Sequence, residues 1–388
     1  MKQGQCAIRV LHLVDDFSKA NTGVAATVSQ LSGWQAQHLT WVGVCTSGVV
    51  DIPIPDGVHL FSWPVHRWAL RWRYPVEGLR NLLGILREHN VTLFHVHGVW
   101  QAGFVLAMLA AALYGVPVVV SVHGMWAPAA LKHGGSGRKL KKLAYWKLFG
   151  RWLLLGRAGL HAITPLEAQH IREFSGRPAK ITIPNAIDLT HSAFQPTGSE
   201  TWPEKKVVFL GRLHPIKGPD LLINAFSDSN LSGAWELVLA GPEEVPTYAR
   251  DLKALAIASN KSAQIRFVGP CYGLAKRELL ASAWVVVVPS HSEVVGMVNL
   301  EAASLCTPTI TTHATGLVRW QSGGGLLSEA TSDGLRMALN AATAWSSEER
   351  IQRGHQVRRM VEQEFSLESV GAAWLRFYWD LDSSINRQ

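Results

Sequence analysis

Short runs of unbroken apolar residues recur along this chain, and each is followed by a stretch with helical spacing. PVVVSV at 117–122, KVVFL at 206–210, WELVLA at 235–240 and WVVVVP at 284–289 carry almost no alternation of apolar and polar residues. A strand with one face in water must alternate, so strands of this kind are covered on both faces. Weaker runs of the same type are IRVLHLV (8–14), TLFHVHG (92–98), GLHAIT (159–164), ITIPNAIDL (181–189), QIRFVG (264–269) and TPTITT (307–312). Helical patterns fall between them, from about Val24, over 102–114 and from Pro165, where Thr164 is placed to cap the first turn. Strands alternating with helices build βαβ units and a parallel sheet.

The chain has 388 residues, more than one ordinary core holds. The polar, Pro- and Gly-bearing stretch HSAFQPTGSETWPE at 191–204 separates two sets of alternating elements. The expected class is therefore α/β, with two doubly wound parallel-sheet domains facing each other across a cleft. Their expected extents are 1–190 and 191–365, with a helix over about 366–388 returning to the first. In such sheets ligands sit beyond the carboxyl ends of the strands.

The formal net charge of +8 is unevenly spread. No Asp or Glu occurs between Glu88 and Glu167, and that gap holds RKLKKLAYWKLFGRWLLLGR at 138–157. A basic segment laced with Tyr145, Trp146, Phe149 and Trp152 points to an anionic membrane surface or another polyanion. Lys147 and Arg151, however, fall on the side of Leu140, Leu143 and Ala144. The segment reads equally as a surface helix whose basic stems lie over apolar neighbours. The uncharged run at 102–122 has a bilayer's length, but Gly115 and Pro117 split it into a short helix and a strand. No secretory pattern opens the sequence, since Arg9 interrupts the first apolar run and Asp15 and Asp16 follow. Cys6, Cys45, Cys271 and Cys306 stand far apart with no CxxC pair, which fits a reducing compartment. The expected setting is cytoplasmic, at most peripheral on the inner membrane face, with no nucleic-acid partner.

Two segments at strand ends carry chemistry. GRLHPIKGPD (211–220) leaves one strand and enters a helix at Pro219. Arg212 and Lys217 put two cations on that loop, beside the free N–H groups of a helix start, and a diphosphate matches the set. Two solvated loop cations are the plain alternative. HSEVVGMVNLEAASLCTP (291–308) holds Glu293 and Glu301 in a stretch that otherwise reads as core. Gly296 opens a helix there, with Met297 and Val298 in its first turn. One carboxylate on the loop and one on the helix would both face the cleft. Carboxylates accept from hydroxyls, and the helix-start amides suit phosphate, so ribose, diphosphate and sugar reproduce the layout. Two carboxylates at a helix dipole are the plain alternative, which the apolar surroundings disfavour.

The second segment resembles the Glu-x7-Glu signature of retaining glycosyltransferases of the GT-B fold, the large family 4 group. Ser292, Glu293, Gly296, Leu300, Glu301, Ala302 and Pro308 match it. GRL-x-P-x-K-G resembles the family's phosphate loop and IPNAID its domain junction. HVHG and VHGMWAPAAL resemble first-domain motifs of bacterial surface-polysaccharide enzymes. The resemblance runs in order along nearly the whole chain. It implies two Rossmann-like domains and transfer of a sugar from a nucleotide-sugar to a glycan or lipid-linked glycan, in exopolysaccharide or lipopolysaccharide synthesis. It implies that Glu301 accepts from ribose hydroxyls and that Glu293 holds the transferred sugar. Arg212 and Lys217 would neutralise the departing diphosphate, His123 would line the sugar site, and Gly23 would let backbone approach the donor phosphates. No metal and no other cofactor is expected. The departures are a single glycine in SKANTGVAA, Val295 for an aromatic, Thr307 for glycine and Ala186 for glycine; none removes a charged site residue. A sugar-nucleotide epimerase or phosphorylase of the same fold competes with this reading. So does a non-catalytic subunit of an assembly complex, which should have lost Glu293 or Lys217.

His95 and His97 alternate on one strand and face the same side, half of a metal site with no third ligand in view. Asp380 and Asp382 in WDLDSS form an acidic pair expected in a tail after a helix. The chain has no GxGxxG, Walker loop or GxSxG, which disfavours dehydrogenase, NTPase and esterase chemistry.

Overall fold

A computed structural model of the protein describes residues 6–17, 22–46, 49–62, 74–100, 102–132, 135–150, 158–189, 204–232 and 234–385. The chain divides into two units, Met1–Ala186 with Leu367–Gln388, and Ile187–Ser366.

The first unit runs β1 (Cys6–Val14), α1 (Thr22–Ala36), β2 (Leu39–Thr46), β3 (Val58–Ser62), α2 (Tyr74–His89), β4 (Leu93–His97), α3 (Ala102–Tyr114), β5 (Val118–Ser121), α4 (Pro128–Lys132), α5 (Gly135–Tyr145), β6 (Ala158–Ala162), α6 (Pro165–Ser175) and β7 (Ile181–Thr182). Its seven strands lie in the order β3-β2-β1-β4-β5-β6-β7, all parallel. The unbroken Val runs are explained by cover on both faces. One face packs Leu11, Phe94, Val96, Val118 and Val120 against Leu82, Phe104 and Met108. The other packs Ile8, Val10, Leu93 and Val119 against Leu31 of α1 and against Trp374, Phe377 and Tyr378. Those aromatics belong to a helix at residues 367–385 that this unit recovers from the far end of the chain. Thr164 caps α6 as its sequence predicts, its hydroxyl accepting from the Glu167 N–H at 3.2 Å with Pro165 in the first turn.

The strands β2 and β3 were not legible in the residues, and ITIPNAIDL joins the first sheet only through Ile181 and Thr182, because Pro184 offers no N–H to a ladder, while Ile187 further on bridges Ser366. Trp146 is not an interfacial aromatic. It is buried at 7% exposure, edge-on to Trp126 at 4.9 Å between ring centroids and tilted against Phe174. It opens a π-helical turn, Trp146–Gly150, that continues α5. The rest of the basic segment, 151–157, and the linker expected at 191–204, apart from Glu204, lie outside the described residues. The 102–122 run is a helix and a strand, and among the described residues no helix is long and apolar enough to cross a membrane.

The second unit runs β8 (Glu204–Leu210), α7 (Pro219–Ser227), β9 (Glu236–Ala240), α8 (Pro246–Ala258), β10 (Ile265–Gly269), α9 (Gly273–Ser282), β11 (Ala283–Val288), α10 (Met297–Ser304), β12 (Thr309–Thr312), β13 (Leu326–Ser328), α11 (Ser332–Thr343) and α12 (Ser347–Glu364). Its sheet, order β10-β9-β8-β11-β12-β13, is also all parallel. The chain then enters α13 (Leu367–Ile385), which contains Asp380 and Asp382 within the helix rather than in a tail.

Candidate active site

In the second sheet the strand order reverses between β8 and β11, which lie side by side. The loops after these two strands therefore leave the sheet together at a topological switch point, where open α/β sheets bind ligands. The two loops are stitched to each other by the His291 N–H donating to the Ile216 carbonyl at 2.9 Å. Gly218 sits at φ 64, and a Cβ there would fall 2.4 Å from the Pro289 carbonyl oxygen, so only glycine allows the approach. Thr312 donates to the Ser290 carbonyl at 2.6 Å, and the Glu293 N–H to the Ala314 carbonyl at 3.2 Å. The backbone bearing Glu293 is thus fixed from β8 and from β12.

Lys217 and Glu293 form an ion pair across these loops, each side chain about a fifth exposed. Ser290 Oγ lies 3.4 Å from the same carboxylate oxygen. Gly296, at φ 66, begins α10, and a Cβ there would press on Glu293 Cγ at 3.2 Å and Asn299 Nδ2 at 2.9 Å. Met297 and Val298 follow as the first helical residues, whose N–H groups have no partner within the helix. Asn299 anchors the helix start from inside, donating to Thr311 Oγ1 at 3.1 Å and accepting from Thr309 Oγ1 at 2.8 Å. Glu301, one turn further on, accepts from Lys276 of α9 at 2.7 Å through Oε1. Its Oε2 is buried and meets no donor among the described residues. A buried carboxylate oxygen without a donor is a place for a ligand hydroxyl.

Arg212 is not turned toward Lys217. Its guanidinium holds both carboxylate oxygens of Glu244, at 2.7 and 2.5 Å, half exposed. The cause is local packing: Gly241, with no side chain, lets the loop after β9 lie against the Gly211 carbonyl, which brings Glu244 alongside. Glu244 and Lys276 escaped the sequence reading, and the one signal for Glu244 was its position at the carboxyl end of a strand.

In the first unit Gly23 lies in the first turn of α1, exposed, with open space where a Cβ would stand. His123 follows β5 at φ 51, a left-handed conformation uncommon outside glycine. Buried Glu167 clamps that turn, accepting from the N–H groups of Gly124 at 2.5 Å and Ile163 at 2.6 Å. Burial pushes the Glu167 carboxyl upward, against the downward pull of those two N–H groups. His123 Nε2 lies 3.0 Å from His97 Nδ1, and burial lowers His123 to about 4, so its ring is neutral near pH 7. His95 and His97 share one side of the sheet, with ring centroids 4.1 Å apart. The third imidazole absent from the sequence reading is His12, which registers with His95 across β1 and β4. Nitrogens of these three rings lie within 4.8 Å of one another, a spacing that would admit a metal ion.

Residues 22–186 match the family model of the glycosyl transferase 4-like domain, and residues 197–321 that of the glycosyl transferases group 1. The chain belongs to this group, the family 4 type of GT-B glycosyltransferases. Among curated relatives it is similar to D-inositol 3-phosphate glycosyltransferase of Kineococcus radiotolerans, 29% identical over 59% of this chain and 56% of the relative. That of Segniliparus rotundus is 29% identical over 63% and 59%. The chain thus spans little more than half the length of these relatives. Among solved structures it resembles HepE of Anabaena in complex with UDP and glucose, with TM-score 0.74 and 16% identity over 96% of this chain and 100% of that one. It also resembles WaaG, a glycosyltransferase involved in lipopolysaccharide biosynthesis, with TM-score 0.69 and 16% identity over 94% and 98%. These likenesses identify the GT-B fold.

Proposed function

We propose that this chain transfers a sugar from a nucleotide-sugar to a glycan or lipid-linked glycan, with retention at the anomeric carbon, in the synthesis of a surface polysaccharide such as exopolysaccharide or lipopolysaccharide. The observation that carries this reading is the set at the switch point: Lys217 on Glu293, with Glu301 keeping a buried oxygen unpartnered on the adjoining helix. A nucleotide-sugar supplies what the set lacks, a phosphate for Lys217, a sugar hydroxyl for Glu293 and a ribose hydroxyl for Glu301. The relatives named for inositol phosphate glycosylation, and the UDP and glucose bound by HepE, favour the same chemistry.

In the reaction the acceptor hydroxyl attacks the anomeric carbon on the face from which the phosphate departs. The bond between that carbon and the phosphate oxygen breaks, and the acceptor proton passes to that oxygen. Lys217 and the N–H groups of Met297 and Val298 stabilise the charge that develops on the phosphate. Arg212 joins them by exchanging Glu244 for the phosphate. Gly23 leaves backbone open to the donor phosphates, and His123 offers an acceptor to a sugar hydroxyl. No metal and no other cofactor is needed, because these groups supply the positive charge.

The test is a thermal-shift panel of UDP-, GDP-, ADP- and dTDP-sugars, followed by mass spectrometry of products with and without EDTA. One donor class should stabilise the protein and release nucleoside diphosphate equally with and without chelator. An altered nucleotide-sugar formed without acceptor would make the chain an epimerase, and no stabilisation by any donor would make it a non-catalytic subunit.

The glutamates should separate in binding. Glu301→Gln should weaken the bare nucleoside diphosphate and the nucleotide-sugar alike, by about tenfold or more for a charge-assisted contact. Glu293→Gln should leave the bare nucleotide bound and lower turnover. Equal loss of nucleotide affinity in both variants, measured by calorimetry, would remove the division of roles.

The membrane partner rests on the basic helix. Leu140 and Leu148 are 69% and 66% exposed among basic residues. Lys142 is not free for lipid, because it donates to the Ala130 carbonyl and lies over the Trp100 ring. A variant with Lys141 and Lys147 changed to Ser should bind anionic phospholipid vesicles about thirtyfold more weakly than wild type, at about 1 kcal/mol per cation. Co-sedimentation that is equal for the two proteins, or absent at low salt, would leave this helix in water.

A further inference from the structure

A line of buried hydrogen bonds crosses the first sheet from the Ile183 carbonyl to His123, and its direction is fixed at one end. The carbonyl oxygen can only accept, so His161 Nε2, 2.7 Å away, carries that ring's proton. The bare Nδ1 of His161 then accepts from Ser121 Oγ at 2.7 Å. With its one proton committed, Ser121 accepts from His95 Nε2 at 2.7 Å. His95 Nδ1 accepts the Tyr378 hydroxyl proton at 2.6 Å. The Tyr378 oxygen faces the Gln35 amide nitrogen at 3.4 Å, and the Gln35 oxygen accepts from His12 Nε2 at 2.7 Å. His12 Nδ1 accepts from His97 Nε2, and His97 Nδ1 from His123 Nε2, both at 3.0 Å.

A neutral imidazole has one N–H and one lone pair, so each step forces the next. The proton of His123 falls on Nε2, and its Nδ1 is left as a lone pair with no partner among the described residues. This order of protons exists only for neutral rings, since an imidazolium donates at both ends. Burial supplies this: it lowers His12 and His123 to about 4, His161 to about 3, and His95 and His97 well below their ordinary value. The same line answers the metal question at His12, His95 and His97. A metal needs a free lone pair from each ring, and both nitrogens of all three are already engaged.

We propose that this buried relay locks His123 in the Nε2–H form, making its Nδ1 a permanent acceptor that selects a hydroxyl-bearing ligand, a sugar, over an anionic one. The other members of the line are positioning residues. The sugar at Nδ1 rests on the function proposed above, whereas the lock does not.

The experiment is nitrogen-15 NMR of histidine-labelled full-length protein at about pH 7, with His123 assigned through the resonances lost in His123→Asn. The free protein should show protonated Nε2 and bare Nδ1 at His123. Tyr378→Phe and Ser121→Ala each cut the line from its anchor, and in both the His123 shifts should move toward an average of two tautomers. Trp374→Phe is the packing control. Its ring lies 4.5 Å from those of His95 and His161 but takes no part in the line, so the variant should keep the wild-type His123 pattern. Adding UDP-glucose to wild type should move Nδ1 chiefly. The lock is overturned by a protonated Nδ1 at His123 in wild type, or by an unchanged pattern in both cut variants. Stoichiometric binding of Zn²⁺ with joint shifts of His12, His95 and His97 would also overturn it. A locked His123 whose Nδ1 responds to no nucleotide-sugar keeps the relay and removes the sugar from it.

Discussion

Acidifying the protein from about pH 7 to about pH 4.5 should unfold the first unit while the second keeps its structure. His12 titrates at about 4 in the folded protein and His161 at about 3, against about 6.5 in an unfolded chain. Between those values the unfolded state binds more protons, so stability rises with pH and falls on acidification. The loss begins below about pH 6.5 and continues down to the folded values. His12 alone represents on the order of 3 kcal/mol, and the lowered His95 and His97 act in the same direction. A whole domain has only about 5–15 kcal/mol to lose. Glu167 opposes them, since its raised carboxyl favours the folded state as it takes up a proton, but one carboxyl faces several imidazoles. The contributions do not add, because the first ring to charge breaks the line for its neighbours. Among the described residues the second unit has no buried histidine. Hydrogen exchange read by mass spectrometry, corrected for intrinsic rate, should show β1, β4 and β5 losing protection before β8 and β11. Simultaneous loss in both sheets, or full protection at pH 4.5, contradicts this.

Lys217→Ala should lower nucleoside-diphosphate affinity by about ten- to a hundredfold, the usual weight of a charge-assisted contact of roughly 1.5–3 kcal/mol. Turnover should fall further, because Glu293 loses its only ion-pair partner among the described residues and, in the reaction proposed above, the leaving phosphate loses the charge of Lys217. Arg212→Ala should act in the same direction. Glu244→Gln should strengthen binding, since it frees the guanidinium that Glu244 now holds. Calorimetry giving wild-type affinity in both cation variants would take the loop after β8 out of the site.

The parts of the molecule legible in the residues are those whose cause is local. Val runs mark doubly covered strands, and Thr164 with Pro165 marks a helix start. The spacing of Glu293, Gly296 and Glu301 marks a loop running into a helix. What escaped is set by pairing between distant segments. Val58–Ser62 is a half-exposed edge strand with no apolar run to announce it. Glu244 and Lys276 reach the site from other strands and helices, 32 and 25 residues from the side chains they hold. His12 joins His95 only because β1 and β4 pair in one register, and Tyr378 meets His95 across 283 residues. Trp146 looked interfacial because a basic helix suggests an exposed face, whereas its own turn points it into the core beside Trp126.

The return of α13 to the first sheet dictates an order of events during synthesis. Residues 187–366 contain every strand and helix of the second unit, so that core can close as soon as it leaves the ribosome. The first sheet emerges earlier yet waits, with the face that carries His12, His95 and His161 open, until Trp374, Phe377 and Tyr378 arrive. The folded second unit makes that return short, because the Ile187 N–H donates to the Phe365 carbonyl at 2.8 Å and so sets the start of α13 beside the end of the first unit. Burial of the three aromatics, at about 1.5–3 kcal/mol each, then holds α13 on the sheet. Chains truncated before α13 and released from the ribosome should therefore hold a protease-resistant second unit behind a cleavable first one, so that the half of the protein translated first is the half completed last.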